Sequence, residues 1–217
     1  MANKTEGFHA GEFLVSEADG SRSRETIIIA SGQGVLAAGA VLGQITLGAI
    51  TQAFTGTGNG VLSALTRSAK AIVGAYVVRC VAASANAGTF AVFDPNGKRM
   101  ADATVAVAYD NGEIAFSIAD GATDFIVGDV FTLTVAAGSG KWASVGDASA
   151  TNGSASARAV LWDAVDATSA DQKQAAIVRA AEVNQSAMTF GTLSGGAITT
   201  AIAQLLANSN ISVRSAI

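Results

Sequence analysis

Apolar and polar residues alternate with a period of two through the middle of the chain, from about residue 55 to residue 141. Side chains of a β-strand point alternately to two faces, so each alternating run predicts a strand with one buried face. Asp94-Pro95-Asn96-Gly97 and Asp110-Asn111-Gly112 are turn sequences between such runs. We therefore predict an antiparallel β-sandwich, with Cys80 as a small core residue. The apolar positions that share a face are Tyr76, Val78 and Cys80; Phe90 and Val92; Ile114, Phe116 and Ile118; and Phe131, Leu133 and Val135.

Shorter β-like runs precede this region. Thr26–Ala30 is rich in β-branched residues without a helical period, and the turn Ser31–Gly34 follows it. Two further strands are predicted over Val35–Leu42 and Gln44–Thr51. Strand, turn and strand therefore follow one another before the sandwich begins.

The last third of the chain has a different texture. Ala159–Trp162 is a short apolar run, and Gln172–Val183 suits either a strand or a helix, with the strand favoured by Ile177-Val178. Gly196–Asn208 has apolar residues at helical spacing and ends in asparagine, which predicts a helix. The fold class that we predict is mainly β with a short C-terminal helix.

Two Gly-rich stretches, Gly56–Gly60 and Ala136–Gly140, flank the predicted sandwich and read as connections. We expect an inserted sandwich domain over residues 55–141. The second domain is then discontinuous and combines residues 12–54 with residues 142–217. Residues 1–11 are small and polar, so we expect a flexible arm when the protein is alone.

Glu12–Val15 has β character, and the turn-like Ser16–Gly20 follows it at once. A short extended segment on an arm can add itself to the sheet edge of a partner. Phe13 and Val15 could equally pack on their own domain. The residues alone leave both interpretations open.

Composition narrows the class of protein. Only 14% of residues are charged, against about 25% in an average globular protein, which favours a surface that packs against copies or a partner. A Ser/Thr/Gly-rich surface of a secreted β-protein is the alternative. The net charge of −4 and the lack of a basic stripe exclude nucleic acid as a partner. Because no apolar run is long enough for a span or a signal peptide, we expect neither a membrane anchor nor export.

No residues suggest an enzyme, so we predict no catalytic, cofactor-binding or metal-binding residues. One cysteine and one histidine, Cys80 and His9, provide neither a disulfide nor a usual zinc site. The Gly-rich run ending at Lys141 lacks the first glycine and the final Ser or Thr of a phosphate-binding loop. The carboxylates of Asp120, Asp124 and Asp129 match no standard calcium loop, and we interpret them as solvated turn residues.

Several pieces of the chain, in their order, resemble the head decoration proteins of tailed bacteriophages, of the lambda protein D type. The resemblance covers about residues 8–52 and 142–215. Its first half rests on Glu12-Phe13-Leu14-Val15-Ser16-Glu17-Ala18, Arg22-Ser23-Arg24-Glu25-Thr26 and Ala40-Val41-Leu42-Gly43 with Thr46. Its second half rests on Ala159-Val160-Leu161-Trp162-Asp163-Ala164-Val165-Asp166-Ala167-Thr168 and Ala176-Ile177-Val178-Arg179-Ala180-Ala181-Glu182-Val183.

The resemblance implies a structural subunit that binds the major capsid protein on the outer surface of an expanded head. It further implies a homotrimer at local threefold positions that stabilises the shell, with the host cytoplasm as its location before assembly. An N-terminal arm would pair with the capsid protein. Carried onto this sequence, the capsid-binding residues are Glu12, Phe13, Leu14, Val15, Arg22, Arg24 and Glu25.

The predicted insert over residues 55–141 departs from the family pattern and resembles modules displayed on other phage surface proteins. An alternative function follows, in which the insert binds host glycans or another ligand and the remainder is its mount. Sugar binding would need exposed aromatic side chains, whereas the alternation assigns most of the insert's aromatics to its core.

Overall fold

The computed structural model describes residues 7–215, so residues 1–6 of the predicted arm lie outside the described residues. Strands predominate in it, and the predicted mainly-β class is confirmed. The helices are α1 (Gly20–Ser23), α2 (Gly196–Ser209) and a 3₁₀ turn at Gln185–Ala187. The strands are β1 (Leu14–Glu17), β2 (Arg24–Ile29), β3 (Gly34–Leu36), β4 (Val41–Gln44), β5 (Leu47–Thr55), β6 (Val61–Arg67), β7 (Gly74–Ser84), β8 (Ala87–Phe93), β9 (Ala103–Thr104), β10 (Ala108–Asp110), β11 (Ile114–Ala119), β12 (Val130–Ala137), β13 (Trp142–Ser144), β14 (Ala157–Leu161), β15 (Val165–Ala167), β16 (Gln172–Ile177), β17 (Ala181–Asn184) and β18 (Ile211–Arg214).

Contacts divide the chain into two compact units. Unit 1 comprises residues 1–46 and 140–217, and unit 2 comprises residues 47–139. Strand β5 belongs to unit 2 because it pairs antiparallel with β12 from Leu47 to Thr55. That unit 2 is an insertion into a head decoration domain stays a prediction.

Unit 1 is built on a closed barrel with the strand order β13-β2-β16-β14-β4. A three-stranded sheet, β1-β17-β18, and the pair β15-β3 accompany the barrel. Ile29 and Leu161 are fully buried in one apolar cluster of the barrel strands. Val160, on the opposite face of β14, is fully buried in a second cluster with Phe13 and Leu205.

Helix α2 confirms the predicted C-terminal helix. Ala201 and Leu205 are buried, and Ile198 and Ile202 pack beside them, as the helical spacing requires. Asn210 ends the helix in the left-handed conformation, and its N–H donates to the carbonyls at the helix end. The fourteen residues of α2 contain no charged side chain.

Two strands predicted before the sandwich differ in the structure. Gly39 breaks Val35–Leu42 with φ of +80°, and a Cβ there would lie 2.2 Å from the carbonyl oxygen of Ala187. The predicted strand Gln44–Thr51 is also broken, because β4 ends at Gln44 in unit 1 and β5 begins at Leu47 in unit 2. Gln172–Val183 is strand rather than helix, in two parts, β16 and β17.

Unit 2 is an antiparallel sandwich of a five-stranded sheet, β5-β12-β7-β8-β9, and a three-stranded sheet, β10-β11-β6. Every apolar position that the alternation placed in the core is buried, including Cys80, which is 0% exposed. The hydroxyl of Tyr76 on β7 donates to Glu113, just before β11 of the other sheet (2.6 Å), and accepts from the N–H of Ile72 (2.9 Å). One buried hydroxyl therefore links the two layers.

The two chain segments that lead into and out of unit 2 are hydrogen-bonded to one another within unit 1. The N–H of Ile45 donates to Lys141 O (2.8 Å), and the N–H of Gly140 donates to Ile45 O (3.0 Å). Thr46 is also held, through its N–H to Asn152 O (2.9 Å). Ile45 and Gly140, which flank unit 2 in the chain, therefore lie side by side in unit 1.

Candidate functional site

The N-terminal segment of the predicted site is part of the fold of unit 1. Phe13 is 1% exposed and meets the Trp162 ring edge-to-face, with the ring centroids 6.1 Å apart. The carbonyl of Phe13 accepts the N–H of Asn184 (2.7 Å), and Leu14 is paired with Val183 on β17. Phe13 therefore packs on its own domain, whereas strand addition by this segment to a partner stays a prediction.

Strand β1 still presents one edge that pairs with nothing else in the described part of the chain, because it stands at the end of the order β1-β17-β18. Val15 on this strand is 41% exposed, and Ser16 beside it is exposed. Gly11 attaches the preceding segment to unit 1, since its N–H donates to Trp162 O (3.0 Å). Gly11 is thus fixed to unit 1 three residues before β1 begins.

Arg24 is engaged inside unit 1. Its guanidinium lies 3.7 Å from the centroid of the Trp162 ring, and its Nε is 3.1 Å from the Glu17 carboxylate. The hydrogen bond to Glu17 raises the pKa of Arg24 above its ordinary value. Arg24 therefore joins the barrel strand β2 to β1 and to Trp162.

Arg22 and Glu25 lie together at one end of the barrel. Arg179 contacts both, donating from Nη1 to Arg22 O (2.9 Å) and forming an ion pair with Glu25. A groove of about 740 Å³ opens here, and Arg158, Trp142 and Leu206 also line it. The predicted site residues thus separate into two groups. Glu12 to Val15 and Arg24 lie around β1 and Trp162, whereas Glu25 lines this groove and Arg22 contacts Arg179, which also lines it.

The sequence did not indicate that Arg158, Arg179 and Trp162 belong to these surfaces. Each is isolated among small or apolar residues in the sequence. Arg179 and Trp162 have these roles through contacts with residues more than 130 positions away in the chain, such as Arg22 and Phe13. Single-sequence patterns carry no signal of those contacts.

The three aspartates considered for calcium have structural roles where a contact is seen. Asp129 is 2% exposed, and its carboxylate accepts the N–H groups of Thr57 (2.9 Å), Gly58 (3.0 Å) and Ile126 (3.1 Å). Burial alone would raise the pKa of Asp129, but these three donors outweigh it and lower the pKa. Asp124 accepts the N–H of Asn86 (3.0 Å). The interpretation of Asp129 as a solvated turn residue is therefore wrong.

Across residues 7–215, no group of three or more His, Cys, Asp or Glu side chains is arranged to hold a metal ion. Over the same residues, no helix is long and apolar enough to cross a bilayer. The surfaces that stand out are the open β1 edge and the groove beside α2.

A barrel with an open-edged sheet, together with a two-sheet sandwich, defines a β-rich protein whose candidate sites are surfaces rather than clefts. The sequence model described as Bacteriophage lambda head decoration protein D matches residues 3–211. The chain therefore belongs to that family, and the resemblance drawn from its sequence is confirmed. The family consists of structural proteins of the phage head and not of enzymes, so the chain has a capsid-associated role in the virion.

Other comparisons add little. No curated protein sequence matches the chain significantly. Among solved structures, two crystal forms of FlgL from Xanthomonas campestris are similar at 20% identity, with TM-scores of 0.32 and 0.28. They cover 46% and 51% of this chain and 33% and 31% of FlgL, so the chain spans about a third of that protein. Likenesses this weak carry no functional argument.

Proposed function

We propose that this protein binds the outer surface of an expanded phage head, as a trimer at local threefold positions, and stabilises the shell. Family membership over residues 3–211 is the observation that carries the proposal. Two structural features support it. The open edge of β1 suits strand addition by a capsid segment, and the sparse charge of the surface suits extensive packing against protein.

The buried position of Phe13 decides how the N-terminal contact is tested. Removal of residues 1–15 would delete Phe13 from the core of unit 1 and confuse unfolding with lost binding. Removal of residues 1–8 ends before His9 and Gly11, whose backbone N–H groups donate to Glu12 and Trp162. This shorter truncation should leave the fold intact.

The test is co-sedimentation of the protein with expanded and unexpanded shells of its own phage. We expect the intact chain to bind expanded shells only and to raise the temperature at which they break open. The 1–8 truncation and Val15→Lys, which places a charge at the open edge, should each reduce binding about tenfold or more. Val107→Lys in unit 2 is the matched control, because Val107 is also exposed (56%) but lies outside unit 1.

Two results would contradict parts of the proposal. If the intact chain failed to bind expanded shells, the capsid role at this location would be wrong. If the truncation and Val15→Lys bound as well as the intact chain, capsid binding would have to use a surface other than the β1 edge.

The alternative of a glycan-binding unit 2 is less well supported. No aromatic side chain of unit 2, whose residues 47–139 are all described, is among the exposed large apolar residues. Phe90, Phe116 and Phe125 are buried in its core, where they cannot stack on sugars. A glycan array probed with the full protein tests this alternative, and strong binding to one glycan class would revive it.

A further inference from the structure

Three arginines, Arg22, Arg158 and Arg179, lie at one end of the unit 1 barrel. Arg158, near the start of β14, and Arg179, two residues after the end of β16, line the same groove. Arg22 lies in α1, just before β2, and its carbonyl accepts a hydrogen bond from Arg179 Nη1 (2.9 Å). A protein with a net charge of −4 therefore concentrates cations at one barrel end.

These cations are only partly neutralised within their own unit. Glu25 pairs with Arg179, and both side chains remain about half exposed, at 49% and 47%. In the part of the chain that the structure describes, the side chains of Arg158 and Arg22 have neither a hydrogen-bond nor an ion-pair partner. Arg158 lines the groove of about 740 Å³, with Leu206, which is 54% exposed, on the same wall. The groove thus offers an unpaired guanidinium beside an exposed apolar side chain.

The chain that follows the other end of β14 carries exposed carboxylates. Strand β14 has Arg158 near its start and ends at Leu161; Asp163 and Ala164 then lie between β14 and β15, and Asp166 lies in β15. Asp163 and Asp166 accept only local N–H groups, from Ala164 (2.7 Å) and Thr168 (3.0 Å). The hydrogen bonds from Thr168 lower the pKa of Asp166, so this carboxylate is charged at neutral pH. The arginine groove therefore lies at one end of β14, and the 163–166 segment with its two exposed aspartates follows the other end.

A threefold ring joins unlike surfaces, because each subunit presents one patch to one neighbour and a different patch to the other. We propose that the 163–166 segment of one copy docks in the arginine groove of the next copy, and that three such contacts close the trimer. The inference rests on the proposed function, which supplies the trimer, and it adds the surfaces and their order. Opposite charges on the two patches oppose like-with-like contacts and fix the direction of the ring.

The first test cross-links the two patches on decorated shells. Ala207 lines the groove, Ala164 lies in the 163–166 segment, and both are exposed, whereas Cys80 is 0% exposed and will not react. The variant Ala164→Cys with Ala207→Cys is bound to expanded shells and treated with a short bismaleimide. We expect a ladder of dimer and trimer that stops at trimer, and no cross-links from either single-cysteine variant.

The outcomes separate the inference from the function on which it rests. If the double variant decorates shells but does not cross-link, the head-to-tail contact is wrong and the capsid role stands. Cross-linking of a single-cysteine variant indicates a like-with-like contact and also overturns the inference. If the wild-type chain does not bind shells, the proposed function itself fails.

The second test exchanges the charges. Arg158→Glu and Asp163→Arg should each weaken retention of the protein on shells about tenfold, and more at low salt. The two changes combined should restore retention, because each ring contact then pairs the introduced carboxylate of one copy with the introduced guanidinium of the next. Arg79→Glu is the matched control, since Arg79 is exposed on unit 2. Failure of the combined variant to recover, with each single variant still folded, would show that these two positions are not in contact.

Discussion

Buried polar side chains, rather than additional apolar ones, hold together the loops and layers of unit 2. Asp129 gathers three backbone N–H groups from two different loops, and Tyr76 links the two sheets. A buried polar group stabilises only while its partners are in place, and it is costly when one is removed. Unit 2 should therefore be most sensitive to substitution of these buried polar residues.

Asp129→Asn should destabilise unit 2 by about 1–3 kcal/mol, because an amide cannot accept all three N–H groups as the carboxylate does. The lowered pKa also sets a pH dependence. The contribution of Asp129 is present above the unfolded-state pKa, near ~4, and is lost as the pH falls through the lower folded-state pKa. Chemical denaturation from neutral pH down into the acid range measures both effects.

Asp124→Asn is the control for this experiment, because Asp124 is exposed and accepts one N–H. It should change the free energy of unfolding by less than about 1 kcal/mol. Equal losses in the two variants would contradict the special role of Asp129.

The two tyrosines should remain protonated above the ordinary tyrosine pKa, near ~10, in the folded protein. Burial and the hydrogen bond to Glu113 raise the pKa of Tyr76 to about 12, and burial raises the pKa of Tyr109. A raised pKa adds stability that is present below the unfolded-state value and is lost as the pH rises through the folded-state value. Ultraviolet titration should thus show tyrosinate forming near the ordinary value only in denaturant. Tyrosinate at that pH in the native protein would contradict this environment.

At the scale of elements, β1 fixes the N-terminal segment to unit 1. Its partner β17 lies more than 160 residues further along the chain, and Phe13 immediately before β1 closes one side of the unit 1 core. The strand is therefore a structural part of unit 1 that also keeps one open edge.

Phe13→Ala should cost unit 1 about 3–5 kcal/mol, the usual range for truncating a buried phenylalanine. Val15→Ala, on the exposed side of the same strand, should change stability by no more than about 0.5 kcal/mol. Thermal and urea unfolding of the two variants measure the difference. Similar small losses of stability in both variants would mean that Phe13 and β1 are not an integral part of the unit 1 core.

The elements that sequence analysis predicted well are those decided by local patterns. The strands of unit 2 alternate so regularly that Tyr76, Phe116 and Leu133 could be assigned to the core directly. The break at Gly39 was missed, because its φ is imposed by the approach of the Ala187 carbonyl from a distant segment. The groove was missed for the same reason, since its lining residues, such as Glu25 and Arg179, come from distant segments of the chain. A single sequence therefore does not show which distant segments of the chain come together.

At the scale of the whole molecule, each of the two units has its own hydrophobic core. Unit 1 has its own apolar clusters around Phe13 and Ile29, and unit 2 has one around Tyr76 and Phe131. Each unit can therefore be removed or altered without opening the core of the other.

Replacement of residues 47–139 by a two-residue Asn-Gly turn should leave unit 1 folded and able to decorate shells. The physical reason is the pair of hydrogen bonds between Ile45 and residues 140 and 141, which already holds the new turn's ends together. Circular dichroism and co-sedimentation with expanded shells measure the outcome, with binding expected within about threefold of the intact chain. An unfolded product, or one that no longer binds, would show that unit 2 is required by unit 1.

The junction at Ile45 and Gly140 also has an evolutionary consequence. A compact module whose ends lie side by side can leave or join a host there through a single exchange of coding sequence, without a change to the host's core. On a shell studded with many copies of one subunit, each exchange is repeated at every copy at once. Under the proposed function, the particle's outer chemistry can thus diversify from phage to phage while the proposed head-binding unit is inherited unchanged.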